Sequence, residues 1–238
     1  SDNTDGNPKI SNCTITNNHG ATASRRVGKV FGGGVRIQSS QTNANPTFTN
    51  CVINGNSSKD GGGIYITTDH IANPTFINCV ISDNQASYFG GGMYISITES
   101  ETATAKPTFI NCVISENTEG PNSQAIFMKS ENPAVETNII PKFINSIVWG
   151  NGTPALSVDG PETAIYINSD VDGSGGSGGA WVESFGVDGG NNIDEDPEFV
   201  DAPEGDFHLS EGSPAIDSGT SDGVDDLPPL DLDGNHRI

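Results

Sequence analysis

A phrase of eleven residues recurs along this chain and limits its possible folds more than any other feature. Its clearest copy is Pro-Thr-Phe-Ile-Asn-Cys-Val-Ile-Ser-Asp-Asn, at residues 74–84. Copies begin at Pro8, Pro46, Pro74, Pro107 and Pro141. Neighbouring copies therefore start 28 to 38 residues apart. Repeats of this length are typical of solenoids, in which similar units stack and each unit contacts its neighbours.

Each repeat contains three short extended stretches separated by turns. In the unit around Cys79 they cover residues 64–66, 74–76 and 79–81, and glycines at 61–63 precede the first. Side chains that alternate in character along such stretches indicate strands. Stacked units of this kind predict an all-β fold, a single-stranded parallel β-helix with about six rungs of three short strands. The variable loops between the strands are where solenoids commonly build a binding face.

An asparagine occupies the same position in every repeat and predicts a corner between two strands. Asparagine tolerates the left-handed conformation that a sharp turn needs, and stacked side-chain amides can hydrogen-bond to one another. The resulting structural ladder is predicted to contain Asn12, Asn50, Asn78, Asn111, Asn145 and Asn168. An aromatic column two residues earlier is predicted to point inward, and it reads Ile10, Phe48, Phe76, Phe109, Phe143 and Tyr166.

Four cysteines follow the corner asparagines in successive repeats, at Cys13, Cys51, Cys79 and Cys112. Stacked one strand spacing apart, about 4.8 Å, they would be too distant for a relaxed disulfide, whose Cβ atoms lie about 3.8 Å apart. Ser146 and Ser169 take the equivalent places later. The position therefore favours a small buried side chain, and free thiols are predicted. The spacing is not that of a zinc site.

The negative charge of the chain limits the classes of partner that it can bind. Its formal net charge is −21, with only ten Lys and Arg residues, which argues against nucleic acid or an anionic membrane surface. No apolar run approaches the roughly 18 residues that a membrane-spanning helix needs. Residues 1–6 do not resemble a signal peptide, and the first repeat follows at once, so we expect a piece of a longer secreted or surface protein.

The repeat ends near Val171, so we expect residues 1–171 to form the rungs. Residues 172–238 are predicted to be a flexible Gly/Ser-rich link followed by an acidic segment that packs on the end or flank of the solenoid as an irregular cap. An outward apolar set reflects strand propensity or a surface covered by this segment or by a partner. Its members are Val52, Val80, Val113 and Ile147, with Ile77, Ile110 and Ile144 nearby.

The repeated phrases resemble those of a known class of proteins. Phe-Ile-Asn-Cys-Val-Ile-x-x-Asn and Gly-Gly-Gly-x-Tyr-Ile are similar to the repeats of bacterial polymorphic outer-membrane and autotransporter adhesins, within the right-handed parallel β-helix proteins of the pectin-lyase-like fold. Residues 196–238 resemble a C-terminal module of secreted or surface β-helix proteins of bacteria. The resemblance implies a right-handed coil and a secreted or cell-surface location. It does not imply one activity, because this fold carries lyases, hydrolases and adhesins alike.

One outward column provides the candidate binding site. Arg36, Tyr65, Tyr94 and Phe127 fall at the same phase of successive rungs. Flat aromatic faces on a rigid sheet could stack sugar rings, and Arg36 could hydrogen-bond at one end. Alternatively, the aromatics suit strands and stack on each other under a loop. The predicted partner is a polysaccharide or a host or cell-surface glycan.

No catalytic residues are predicted. Lys9 and Lys142 lie beside the aromatic column but are separated by three rungs that carry threonine instead, and His19 lies in a turn without an aspartate pair nearby. A lyase or hydrolase site would need an acid and a base together. The predicted function is therefore a non-enzymatic segment for adhesion or glycan binding. A polysaccharide lyase or glycoside hydrolase, and a structural stalk that displays another domain, stay open as alternatives.

No cofactor and no metal site are predicted, with calcium as the alternative. Residues 170–175 copy the start of an EF-hand-like loop, and residues 231–235 present spaced oxygens. Neither stretch has the glutamate twelve positions on that completes such a loop.

Overall fold

The computed structural model of the chain describes residues 7–20, 31–98, 100, 102–119, 124–130, 138–152, 155–160, 162–221, 224 and 227–235. The predicted fold class is confirmed, since the described chain coils into a β-solenoid whose rungs pair in parallel. Its only helices within these ranges are two 3₁₀ turns, Glu183–Phe185 and Ala202–Glu204.

Three parallel sheets form the faces of the solenoid. Sheet A contains the strands Lys9–Ser11, Thr47–Thr49, Thr75–Ile77, Thr108–Ile110, Lys142–Ile144, Ile165–Ile167 and Val187–Asp188. Sheet B contains Thr14–Thr16, Val52–Asn54, Val80–Ser82, Val113–Ser115, Ile147–Trp149 and Asp170–Val171. Sheet C contains Val35–Ser39, Ile64–Thr68, Met93–Ile97, Ile126–Ser130 and Leu156–Asp159. Five rungs therefore contribute a strand to every sheet, and the sixth contributes to sheets A and B.

Smaller strands lie between and beyond these sheets. Sheet D, between sheets B and C, contains Ser57–Asp60, Gln85–Phe89 and Thr118–Glu119. A short parallel pair contains Ile71–Ala72 and Thr104–Ala105. An antiparallel hairpin contains Phe199–Asp201 and Asp206–Leu209. Sheet D was not predicted from the sequence, because Ser57–Asp60 and Thr118–Glu119 are polar and Gln85–Phe89 does not share an apolar alternation with them.

The aromatic column of sheet A points into the core, as its position in the repeat predicts. Phe76, Phe109 and Phe143 are fully buried, and successive rings from Phe48 to Tyr166 stack with centroids 4.8 to 5.0 Å apart. That distance equals one strand spacing, because in-register parallel pairing places each ring directly over the next.

The six corner asparagines all adopt the left-handed conformation, with φ between 46° and 54°. The amide of Asn78 donates to Oδ1 of Asn50 at 3.0 Å, and that of Asn50 donates to Oδ1 of Asn12 at 3.3 Å. Farther along, Asn145 instead exchanges two hydrogen bonds with the backbone of Thr220, at 2.7 and 3.0 Å. The corners thus form an amide ladder at one end and hold the C-terminal segment at the other.

A second asparagine ladder lies on the next corner, between sheets B and D, and it is more deeply buried. It contains Asn18, Asn56, Asn84, Asn117 and Asn151. From Asn56 onward, each Oδ1 accepts from both the backbone N–H and the side-chain amide of the preceding asparagine, at 2.9 to 3.1 Å. From Asn56 onward, each amide also donates to a carbonyl of the previous rung. This ladder joins the rungs through fully paired polar groups.

The four cysteines are free thiols, as predicted. Cys51, Cys79 and Cys112 are buried, and their Sγ atoms contact backbone carbonyls at 3.3 to 3.7 Å. Hydrogen bonding to the next thiol of the column, together with burial, raises the pKa of Cys51 and of Cys79. These two groups therefore stay protonated as small core side chains.

The far end of the core is closed by residues just past the last full rung. Trp181 packs against Tyr166 and Phe185 packs against Trp181, and the indole of Trp181 donates to the carbonyl of Gly186 at 2.9 Å. The Gly/Ser-rich segment is not the flexible link that its composition predicts. Asp194 accepts from the N–H groups of Gly173 and Gly175, and Asp188 accepts from Gly178, so two carboxylates hold its backbone.

The rest of the chain turns back along the flank of the solenoid. Val224 and Leu227 pack against the outward apolar row of sheet A, which contains Ile77, Ile110 and Ile144. The carbonyl of Leu230 accepts from the amide of Asn78 at 3.3 Å. We call the described residues 195–221, 224 and 227–235 the tail. It covers this isoleucine row, one of the two explanations that the sequence left open for it.

Candidate functional site

The predicted binding column lies in one row on the outer face of sheet C. Arg36 pairs with Tyr65, Tyr65 with Tyr94, and Tyr94 with Phe127 in the parallel register. The neighbours on either side along each strand, such as Ile64 and Ile66, point into the core. The strand periodicity therefore placed these four side chains on the correct face.

The faces of these rings are occupied by other rings. Tyr65 and Tyr94 stack at 5.1 Å, and Tyr94 and Phe127 at 5.6 Å. Phe31 stacks on Tyr65 at 4.6 Å, and Phe89 stacks on Phe127 at 4.3 Å. Only 6–8% of Tyr65, Tyr94 and Phe127 is exposed. We call these five rings the aromatic stack.

This burial corrects the expected use of the column as a platform for sugars. In-register strands hold side chains about 4.8 Å apart. This is close to the stacking distance of aromatic rings, so each ring covers a face of its neighbour. Tyr65, Tyr94 and Phe127 consequently present edges rather than flat faces to solvent. Arg36 is exposed, and its guanidinium lies 5.8 to 5.9 Å from the Tyr65 and Phe31 rings and donates to Gln38.

The exposed aromatic surface beside the stack comes from sheet D. Tyr88 is 58% exposed and Phe89 is 37% exposed, with their centroids 6.4 Å apart in an edge-to-face arrangement. The ammonium group of Lys59 lies 4.7 Å from the centre of the Tyr88 ring. We call Tyr88, Phe89 and Lys59 the aromatic patch. An exposed ring beside a cation can contact both the apolar face and the hydroxyl groups of a sugar.

The sequence reasoning did not single out this patch. Tyr88-Phe89 falls outside the repeated phrase, directly before Gly90, and no other repeat has an aromatic pair there. That departure from the repeat is the signal that could have found it, because a side chain that the coil does not require is free to serve another purpose.

A second concave surface lies between sheet B and the tail. This tail cleft has a volume of about 1300 Å³. Its floor is the aliphatic row of sheet B, and Phe207, Leu209 and Pro228 are part of the wall that the tail contributes. The floor residues are Val52, Val80, Val113 and Ile147. All four are half-buried, so the tail does not cover this row completely.

His208 fastens the end of the tail to its hairpin. Its ring nitrogens contact Asp206 Oδ1 and, at 2.7 Å, Asp233 Oδ2. The hydrogen bonds to Asp206 and then to Asp233 raise the pKa of His208, and the His208 hydrogen bond lowers the pKa of Asp206. All three side chains are largely exposed to solvent.

These shifts predict a pH window for the attachment of residues 227–235. The contribution of His208 to the stability of this attachment is fully present below the unfolded pKa of histidine, about 6.5. It is lost as the pH rises through the raised pKa of His208 in the folded protein. The aspartate contribution is present above about pH 3.9 and is lost as pH falls through its lowered folded value. Hydrogen exchange of residues 227–235, corrected for the intrinsic rate, should therefore accelerate on the alkaline side of the window.

His208→Gln should remove that alkaline dependence, whereas His70→Gln, which alters an exposed histidine in another loop, should not. Equal exchange profiles for wild type and His208→Gln would contradict the proposed attachment.

The remaining sequence candidates do not form a site. Lys9 and Lys142 belong to sheet A strands that are separated by three other strands, as predicted. Within the ranges that the structure describes, no group of three or more His, Cys, Asp or Glu residues could hold a metal ion. In the stretch at 231–235, Oδ1 of Asp231 accepts from the backbone N–H groups of Asp233 and Asn235, so this oxygen closes the turn.

Two findings bear on identity. Among the described residues no helix is both long and apolar enough to cross a membrane. Residues 2–168 match the family model described as the right handed beta helix region. No curated protein and no solved structure matches the chain. Because the match spans more than half of the sequence and the rungs pair in parallel, the chain belongs to the family of right-handed β-helix proteins.

Proposed function

We propose that this chain is a non-enzymatic β-helix segment that binds a neutral glycan through its aromatic patch, in a protein that is secreted or displayed on a cell surface. The observation that carries the proposal is the exposure of Tyr88 and Phe89 on top of a stack of otherwise buried rings. Soluble proteins bury large aromatic side chains on average, so two adjacent exposed rings indicate a binding surface.

The arrangement of the patch suits a sugar. Phe89 is fixed by stacking on Phe127, and Phe127 is itself held in the aromatic stack, so the surface is rigid before a ligand arrives. A rigid surface loses little conformational entropy on binding. Lys59 lies over the face of Tyr88 and is 3.9 Å from the carboxylate of Asp60, which places a hydrogen-bond donor above the ring.

Charge selects against acidic polysaccharides. The formal net charge of −21 repels uronates and sulfated glycans unless a local cation offsets it. Lys59 is a single cation beside Asp60, so the patch itself has little net charge. Neutral glycans are therefore the expected ligands.

A glycan array with neutral and acidic members, run beside an assay for unsaturated uronates and new reducing ends, tests the proposal against its alternatives. The expected result is binding to one or more neutral glycans and no cleavage. Release of unsaturated uronates or reducing ends would instead establish a lyase or hydrolase. An array without signal, together with no cleavage, would leave the structural stalk as the function and overturn the proposal.

A further inference from the structure

The tail cleft differs in charge from the aromatic patch. Its lining includes the carboxylates of Asp170, Glu204, Asp217, Asp231 and Asp233, and none of the described residues that line it is a lysine or arginine. His208 also lines the cleft and contacts Asp233, so the other four carboxylates carry the negative charge of the wall. Its floor is aliphatic, with Val52, Val80, Val113 and Ile147 in one row. An acidic wall over an aliphatic floor is complementary to a ligand that carries both positive charge and aliphatic groups.

Asp170 lies at the end of the floor row, and its buried carboxylate is the second observation that points to a bound cation. It pairs in register with Ile147, and its neighbour Val171 points into the core, so the Asp170 side chain is on the outer side of sheet B. Only 2% of the residue is exposed. Oδ1 accepts a weak hydrogen bond from the N–H of Glu195 at 3.3 Å, whereas Oδ2 has no hydrogen-bond partner among the residues that the structure describes.

A buried carboxylate oxygen without a partner is costly, because its hydration is lost and nothing replaces it. The groups that face Asp170 increase the cost, since Asp194, Glu195 and Asp172 are all acidic. Burial, followed by repulsion from these three carboxylates, raises the pKa of Asp170 to about 7. A cation at this end of the cleft would supply the missing partner and offset the repulsion.

We propose that the tail cleft binds an extended cationic peptide, with an amine or guanidinium group paired to Asp170 and aliphatic side chains on the row of Val52, Val80, Val113 and Ile147. A peptide is favoured over a sugar because this floor is aliphatic, whereas sugars stack on aromatic faces. The volume of about 1300 Å³ exceeds that of a typical small-molecule pocket and accommodates several residues.

The probe is a fluorescein-labelled octapeptide of alternating lysine and valine, titrated by fluorescence anisotropy in 0.15 M salt as about the physiological ionic strength. Asp170→Asn should weaken binding about tenfold or more, because one partner of a buried ion pair is removed. Asp69→Asn is the matched control, since it removes the same charge from an exposed turn outside the cleft, and it should leave the affinity within about twofold.

A second variant keeps the test valid if Asp170→Asn fails to fold. Val80→Lys places a cation in the half-exposed floor and should abolish binding of the cationic octapeptide without a large cost to the fold. Equal affinities for wild type, Asp170→Asn and Val80→Lys would overturn the proposal, since binding would then reflect only the overall negative charge. A glucosamine oligomer that binds more tightly than the octapeptide, and that loses affinity in Asp170→Asn, would also overturn the proposal. The cleft would then be a site for an amino sugar.

Proton release provides an independent readout. If the peptide cation pairs with Asp170, binding near pH 7 should release up to about half a proton, because the carboxyl is about half protonated there and ionises in the complex. Calorimetry in two buffers with different ionisation enthalpies measures this number. Asp170→Asn should release none, and a wild-type value of zero would contradict the pairing. Because the site is on another sheet, neither result depends on glycan binding at Tyr88.

Discussion

Replacing Asn84 with alanine is expected to lower the free energy of unfolding by about 3–9 kcal/mol, from three buried polar groups at about 1–3 kcal/mol each. The Asn84 side chain accepts from the backbone N–H and the amide of Asn56 and donates to the carbonyl of Ile53. All of these groups are buried, so the variant leaves donors and an acceptor without partners. Urea denaturation followed by circular dichroism measures the loss.

Asn18→Ala is the matched control, because Asn18 begins the same ladder but is exposed to solvent. Its amide donates to Oδ1 of Asn56 and to the carbonyl of Thr16, and Asn56 keeps the backbone donor of residue 18 after the change. Its loss should cost no more than about 1.5 kcal/mol, the upper range for one ordinary hydrogen bond. If the two variants were equally stable, the buried ladder would not hold the rungs together as we describe.

Gly91→Ala should destabilise the solenoid by about 3 kcal/mol or more, through steric overlap that only a backbone shift can relieve. A Cβ atom at this position would lie 2.1 Å from the carbonyl oxygen of Thr118 and 2.4 Å from its carbonyl carbon. Both are backbone atoms of the next rung, so the two rungs must separate locally. The backbone hydrogen bond from Gly91 to Gln124, at 3.1 Å, would be strained as well.

Gly179→Ala provides the comparison. A Cβ atom there meets nothing within 4 Å, and the residue is exposed with a backbone conformation that alanine accepts. Its thermal midpoint should therefore stay within a few degrees of the wild type, whereas Gly91→Ala should melt far below it or fail to accumulate as folded protein. Similar melting of both variants would show that the glycine triplet does not limit the approach of neighbouring rungs.

The coil itself could be predicted from the sequence because its determinants repeat. The corner asparagines stand out only because six of them keep the same distance from an aromatic and a small residue, and each one has positive φ in the structure. The inward column from Phe48 to Tyr166 follows from strand alternation alone. Because the same residue types recur at the same positions in several repeats, the pattern does not arise by chance in any one of them.

The second asparagine ladder was missed although its signal is equally regular. Asn18, Asn56, Asn84 and Asn117 each follow a cysteine by five residues, and Asn151 follows Ser146 by the same distance. Residues 82–84 fall after the predicted stretch 79–81, in a segment whose Ser-Asp-Asn composition is common in turns. Turn composition alone does not distinguish an exposed turn from one whose amide lies between stacked rungs.

The binding face was predicted only in part. Alternation placed Tyr65, Tyr94 and Phe127 outside, but the exposure of their faces depends on Phe31 and Phe89, which lie outside the repeated phrase. The tail is a similar case: its Ile216 is 46% exposed, and the apolar contacts with sheet A come from Val224 and Leu227. Side chains that occur once leave no periodic signal.

The central claim, that the protein binds a neutral glycan on a surface the repeat does not specify, depends on Tyr88. Calorimetric titration of wild type, Tyr88→Phe and Tyr88→Ala with the neutral oligosaccharide that binds best on the array tests it directly. We expect Tyr88→Ala to bind about tenfold more weakly or worse, as an exposed aromatic contact residue should, and Tyr88→Phe, which keeps the ring, to stay within about threefold. Equal dissociation constants for all three proteins would contradict the account.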